Sequence, residues 1–176
     1  MATLDATVTC GLKWSYRRAD EIGTALDKPD GASQTTKYAT GAAANQANVV
    51  YRTQVTLLTI GQLTVDIDLR GATRAIYGDL LEMTNLRALF LRNRSSRAGG
   101  GDDVRVGPQG AANGLTAPWG SQAAGYNLLR TGAILCLNSP IDGWAVSDSA
   151  RIIRLQHAGL SYQIDVNVVA IGTRAL

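Results

Sequence analysis

The chain has 176 residues, 45% of them apolar and 18% charged, with 19 Gly, 4 Pro and a single Phe. That length fits one domain, or one domain with an arm, and it buries enough surface to need no staples. The mix excludes collagen, a disordered tail and a disulfide-dense mini-scaffold. Net charge is +3 and the pI is near 9.1. A dedicated nucleic-acid binder clusters its basic residues, whereas these are spread along the chain, so nucleic acid is disfavoured as a partner. The 14 Arg against 3 Lys suit a protein interface, where the planar guanidinium pairs with carboxylates and stacks on aromatics. Arg-rich coding gives the same bias.

The first residues carry no basic stretch followed by an apolar one, so no signal peptide is expected. No apolar run approaches the ~18 residues of a membrane span. Residues 1–47 read as an N-terminal arm or long loop with one possible strand, over Ala6 to Arg17. Its 20–47 portion is small and polar, the composition of a segment that orders by lying on something. Trp14, Tyr16, Arg17 and Arg18 combine aromatics with arginine, the mix enriched in interface hot spots. They are candidate protein-interface residues.

From residue 48 onward the period is two. Val49 to Ile60 is rich in Val, Thr, Tyr and Ile, and Gly61 then marks a hairpin or bend. Gln62 to Arg70 alternates strictly: Leu63, Val65, Ile67 and Leu69 face a core, and Thr64, Asp66 and Asp68 face solvent. Ala72 to Met83 is the only helical candidate, with Ile76, Leu80 and Met83 at helical spacing. Gly78 limits it to a short helix or turn. Leu86 to Asn93 is apolar at both parities, which predicts a strand covered on both faces.

Arg94 to Asn113 has loop chemistry, with one short strand at Val104 to Val106. Arg92, Arg94 and Arg97 form the densest basic cluster, placed to meet an acidic patch or a phosphate backbone. They complete the set of candidate interface residues. Ala133 to Leu137 reads as a strand, and Asp142-Gly143 as a hairpin dipeptide leading into Trp144. Ala150 to Gln156 and Ser161 to Ile171 close the chain as strands, the last with Ile164, Val166, Val168 and Ala170 on one face. Short strands separated by Gly, Pro, Asn and Asp make the fold class all-β, an antiparallel sandwich or barrel over 48–176 with at most a short helix.

Catalytic chemistry finds little footing. His157 is the single histidine, and no nucleophile elbow accompanies it. An exposed or turn-bonded His is the expectation there. Asp66 and Asp68 share a strand face at a separation of about 7 Å, which suits paired carboxylates in glycoside hydrolysis. The solvated face of an alternating strand is the expected reading of the pair. No catalytic, cofactor or metal residues are assigned. Cys10 and Cys136 read as buried thiols of a reducing compartment. Asn93-Arg94-Ser95 has the form of a glycosylation acceptor, and Gly99 to Asp103 superficially that of a calcium turn.

Two stretches together carry a resemblance. One runs from Gly41-Ala42-Ala43-Ala44-Asn45-Gln46-Ala47-Asn48-Val49-Val50-Tyr51 to Val65-Asp66-Ile67-Asp68-Leu69. The other comprises Arg151-Ile152-Ile153-Arg154-Leu155, Ser161-Tyr162-Gln163-Ile164-Asp165-Val166 and Ile171-Gly172-Thr173. Leu89-Phe90-Leu91-Arg92-Asn93 and Gly143-Trp144-Ala145-Val146 lie between them. This layout resembles the capsid decoration, or cement, proteins of tailed bacteriophages. The resemblance covers residues 40–173, and it departs from the family's pattern in the loop 94–117. It implies a jelly-roll-like sandwich, a non-enzymatic virion protein on the capsid surface, and synthesis in the bacterial host's cytoplasm. Implied partners are the major capsid protein and neighbouring copies of the same chain, with no membrane and no cofactor. The alternative is another β-rich virion component (head fibre, neck or tail), some of which bind host glycans. That alternative predicts an exposed aromatic pocket from Trp119, Tyr126 or Trp144.

Overall fold

A computed structural model of the chain describes residues 4–11, 16–20, 23–27, 33–61, 63–74, 80–95, 102–159 and 162–175. For 11–34 and 72–74 the description stops at the backbone. The strands are β1 (Ala6–Gly11), β2 (Tyr16–Asp20), β3 (Gly23–Asp27), β4 (Ser33–Thr40), β5 (Gln46–Ala47), β6 (Val49–Leu57), β7 (Thr64–Asp68) and β8 (Arg70–Arg74). They continue as β9 (Leu80–Asn93), β10 (Val104–Gly107), β11 (Asn127–Leu129), β12 (Ile134–Asn138), β13 (Trp144–Ala145), β14 (Ile152–His157) and β15 (Ile164–Arg174). The helical content among the described residues is a 3-10 turn at Ala117–Trp119.

Two antiparallel sheets make a sandwich. One runs in the order β12-β9-β15-β6, with β8 and β13 also paired to β9; the other runs β11-β10-β14-β7. Alternation drives this arrangement. Val166, Val168 and Ala170 of β15 and Leu89 and Leu91 of β9 point inward, where they meet Ile67, Val104, Val106, Ile153 and Leu155 of the opposing sheet. At about 1.5–3 kcal/mol for each fully buried aliphatic side chain, this core dominates the stability.

A third layer covers part of the outer face of the β9 sheet. It is the sheet β1-β4-β5. Tyr38 and Ala47 bury there against Ala88 and Ile171, with Leu4, Ala6, Val8, Val50 and Val169 packed around them. That cover explains why β9 is apolar at both parities. The Tyr38 hydroxyl donates to Asn138 Oδ1 at 2.5 Å, and Asn138 Nδ2 donates to Thr36 Oγ1 at 2.8 Å. Arg87 is buried beside this seam. Its guanidinium donates to the carbonyls of Pro140 and Ile141 and to those of Ala42 and Ala43, so four carbonyl dipoles stand in for a carboxylate.

Several expectations change. Residues 1–47, read as a loop with one possible strand, carry five. β1 pairs β4 from Ala6↔Tyr38 to Gly11↔Ser33, and nested inside, β2 pairs β3 from Tyr16↔Asp27 to Asp20↔Gly23. The two ladders belong to separate sheets. The expected single strand over Ala6 to Arg17 is divided, because β1 ends at Gly11 and β2 begins at Tyr16. The helical candidate at Ala72 to Met83 fails where the structure describes it. Residues 72–74 belong to β8, and 80–83 open β9 with Leu81 and Met83 buried at a spacing of two. Asp142-Gly143 does not turn a hairpin. β12 and β13 both pair antiparallel with β9, over Ile134↔Arg92 to Asn138↔Ala88 and then Trp144↔Leu86. They are one edge interrupted by an outward loop, which Gly143 re-enters at φ +68° where a Cβ would meet Leu86 O at 2.9 Å. Gly61 likewise bends the chain from one sheet into the other, since β6 pairs β15 and β7 pairs β14.

Cys10 and Cys136 are not free thiols. Their sulfurs are bonded, joining β1 of the outer layer to β12 across a sequence separation of 126. The two strand-like contexts are the same place, because β1 lies over the edge on which β12 sits.

Tyr38 and Tyr51 share a consequence of burial. Loss of water raises both phenol pKa values, an effect opposed at Tyr38 by Arg87 and at Tyr51 by its bond to Thr53. A folded pKa above the unfolded value of about 10 stabilises the fold below that pH and is lost as pH rises through the folded value. Melting temperature is therefore expected to fall above pH ~10. Absorbance at 295 nm should show two tyrosines ionising late, together with unfolding.

Candidate functional site

The outer face of the β9 sheet forms three cross-strand rows. The first is Asn138, Ala88, Ile171 and Val50; the second is Cys136, Phe90, Val169 and Arg52; the third is Ile134, Arg92, Asn167 and Gln54. Rows are about 7 Å apart, as same-face neighbours along a strand must be. The first row lies beneath Tyr38 and Ala47. Cover thins across the second, where Phe90 and Val169 are half-buried, and ends at the third, where Ile134, Arg92 and Gln54 are exposed. The face thus grades from apolar to basic along its strands.

Arg92 and Arg94 are exposed at the open end, and Arg52 is exposed at the β6 side of the second row. Arg94 Nη1 donates to Gln54 Oε1 at 3.0 Å. The nearby carboxylate, Asp165, accepts from Thr56 Oγ1 at 2.7 Å. Among the described residues, none of the three arginines has a carboxylate within ion-pair distance.

The opposite sheet treats its charges differently. Arg154 pairs Asp66 through two bonds at 2.7 and 2.8 Å and Arg151 stands 3.5 Å from Asp68; on β8, which pairs with β9, Arg70 reaches Asp148 at 3.0 Å. The Asp66 bond pushes the Arg154 pKa further up. Asp66 and Asp68, the carboxylates singled out from their shared face, are thus each committed to an arginine of a neighbouring strand or loop. Exposed pairs of this kind contribute about 0.2–1 kcal/mol. Asp66→Asn is accordingly expected to shift a urea midpoint only slightly; a loss of several kcal/mol would show that the pair is structural. An open cavity of about 520 Å³ is lined by Arg70, Gly71, Leu80, Glu82, Thr84, Asp148 and Ala175. It contains that last ion pair.

The sequence-selected residues separate. Arg92 and Arg94 come together on the open face, joined by Arg52, which lies on a different strand and is brought there by register alone. Trp14 and Arg97 lie outside the described residues. Tyr16, Arg17 and Arg18 belong to β2, and their side chains lie outside the description. His157 is buried, with Nε2 2.5 Å from Tyr162 O and Nδ1 accepting from Gly159 N at 3.1 Å. It is turn-bonded and not exposed. Trp119 and Trp144 are half-buried against the main core, whereas Tyr126 is exposed beneath the Arg105 guanidinium, 5.3 Å from its ring centroid. The three aromatics therefore do not present one common exposed surface.

Asn93, the formal glycosylation acceptor, is fully buried and its amide donates to the carbonyls of Asp102 and Leu129. Asp102 is buried too and accepts from Ser95 Oγ. The glycine run before it, Gly99 to Gly101, lies outside the described residues. Among the described residues, no group of three or more His, Cys, Asp or Glu is placed to hold a metal ion. No helix there is long and apolar enough to cross a membrane.

Compared with protein-family models, with curated proteins and with solved structures, the chain matches none.

Proposed function

We propose that this chain is a structural virion protein that binds and reinforces an assembled phage shell, with no catalytic role. The observation that carries this reading is the contrast between its two outward faces. One pairs Arg154 and Arg151 with Asp66 and Asp68, while the other, among the described residues, leaves Arg52, Arg92 and Arg94 without a carboxylate and is half-apolar and only partly covered. Such a face suits contact with another protein better than chemistry on a small substrate. The winding gives further support. Of the eight principal strands (β6, β7, β9, β10, β11, β12, β14, β15), the first pairs with the eighth and the eighth with the third, while the second pairs with the seventh and the seventh with the fourth. That order favours a jelly-roll-like reading, an architecture used in viral capsids.

The disulfide adds a condition. Bonds of this kind persist in oxidising surroundings, so a chain made in the bacterial cytoplasm would acquire it only on release. The bond ties β1 to β12, and β2–β3, paired among the described residues with each other, is the part that would reach a neighbouring subunit or another copy. Two strands alone are marginally stable in water, so a docked surface would order them. Replacing residues 12–32 by Asn-Gly keeps the β1–β4 ladder and the disulfide. That variant is expected to melt near the wild-type temperature and to sediment less with shells; undiminished sedimentation would remove the hairpin from the contact.

A further inference from the structure

We propose that the outer face of the β9 sheet is a strand-addition groove, whose occupant is an extended protein segment that is apolar at one end and acidic at the other. It deepens the shell-binding reading and rests on it only for the partner's identity. Among the described residues, β1 pairs with β4 and with no strand on its other side. Its free edge carries backbone donors and acceptors that a further strand can use. Along that edge runs a groove of about 260 Å³, lined by Thr7, Val8 and Thr9 of β1 and by Ala88, Phe90, Val169 and Ile171 of the sheet below. An added strand would bond to β1 through its backbone and set alternate side chains on this floor.

The chemistry of the occupant follows from the gradient. Ala88 and Ile171, then Phe90 and Val169, ask for aliphatic side chains. Arg52 flanks Phe90 and Val169 in their own row, and one row further, about 7 Å on, stands Arg92, with Arg94 beyond. Guanidiniums with no carboxylate partner among the described residues favour Asp or Glu from the incoming segment, in the paired geometry that arginine forms with carboxylates. A nucleic acid would use the arginines and leave both the apolar floor and the strand edge idle.

The test uses the oxidised full-length protein and two short synthetic peptides of alternating Val and Thr. One ends in a run of Glu at its C-terminus, the other at its N-terminus, since either strand direction can pair. At least one should bind at low salt and protect the Thr7–Thr9 amides from hydrogen exchange. Arg52→Glu with Arg92→Glu should weaken binding by at least about tenfold, about 1.4 kcal/mol. Arg105→Glu with Arg154→Glu, the same charge change on the opposite sheet, should not. Failure of both peptides to bind would overturn the proposal, as would binding without amide protection. Equal loss in the two double variants, or tighter binding of a single-stranded oligonucleotide of equal charge, would do the same. Failure here leaves shell attachment open, since the shell could be gripped elsewhere; peptide binding without shell binding would reject only the shell.

Discussion

Reduction of the Cys10–Cys136 bond is expected to lower the melting temperature by on the order of 10 °C. The bond closes a loop with a sequence separation of 126, and a cross-link over so long a loop removes about 2–5 kcal/mol of unfolded-state entropy. Its effect should also be local. β1 is an edge strand whose inward contacts are Leu4, Ala6 and Val8, and the groove beside it leaves the floor residues short of partners. β4 keeps Tyr38 and its bonds to Asn138 and Arg87. Cys10→Ser with Cys136→Ser should therefore speed hydrogen exchange in β1 more than in β4, and in β4 more than in β15. Uniform acceleration across all three would mean that the outer layer and the sandwich unfold as one unit.

Ile67→Asp is expected to prevent folding, at a cost of about 4 kcal/mol or more, because an unpaired carboxylate would enter the main core. Ile67 is 2% exposed and packs in that core. Val65, on the same face, is only half-buried. Val65→Asp should leave a folded protein weakened by about 1–3 kcal/mol, since its carboxylate can reach water. Circular dichroism and urea unfolding separate the two. Equal damage at both sites would contradict the difference in burial between them, and an undiminished melting temperature in Ile67→Asp would contradict the inward face assigned to β7.

The sandwich was legible because its strands alternate. β7 and β15 announced their inward faces by parity, and β9 announced cover on both faces by having apolar residues at both. The layer providing that cover was not legible. β4 is Ser, Gln, Thr, Thr, Lys, Tyr, Ala and Thr, and its one large inward side chain, Tyr38, makes no pattern alone. The false helix arose because Leu80 and Met83 satisfy a spacing of three while Leu81 and Met83 satisfy a spacing of two. Pairing with β8 and β15 decides between them.

The disulfide escaped because two distant cysteines give no geometry, and compartment alone was made to decide their state. Arg92 and Arg94 were visible as a cluster along the chain. Arg52 was not, being placed beside them by the β6–β15–β9 register. The free edge of β1 is a property of the assembled sheets and leaves no local signal.

The most direct test of shell binding is co-sedimentation of the oxidised protein with expanded, undecorated phage capsids, with tail and host-cell fractions alongside. The expected result is saturable binding to capsids at a fixed copy number, with Arg52→Glu plus Arg92→Glu reducing occupancy. Binding only to tails or cells, or to no fraction at all, would contradict the account.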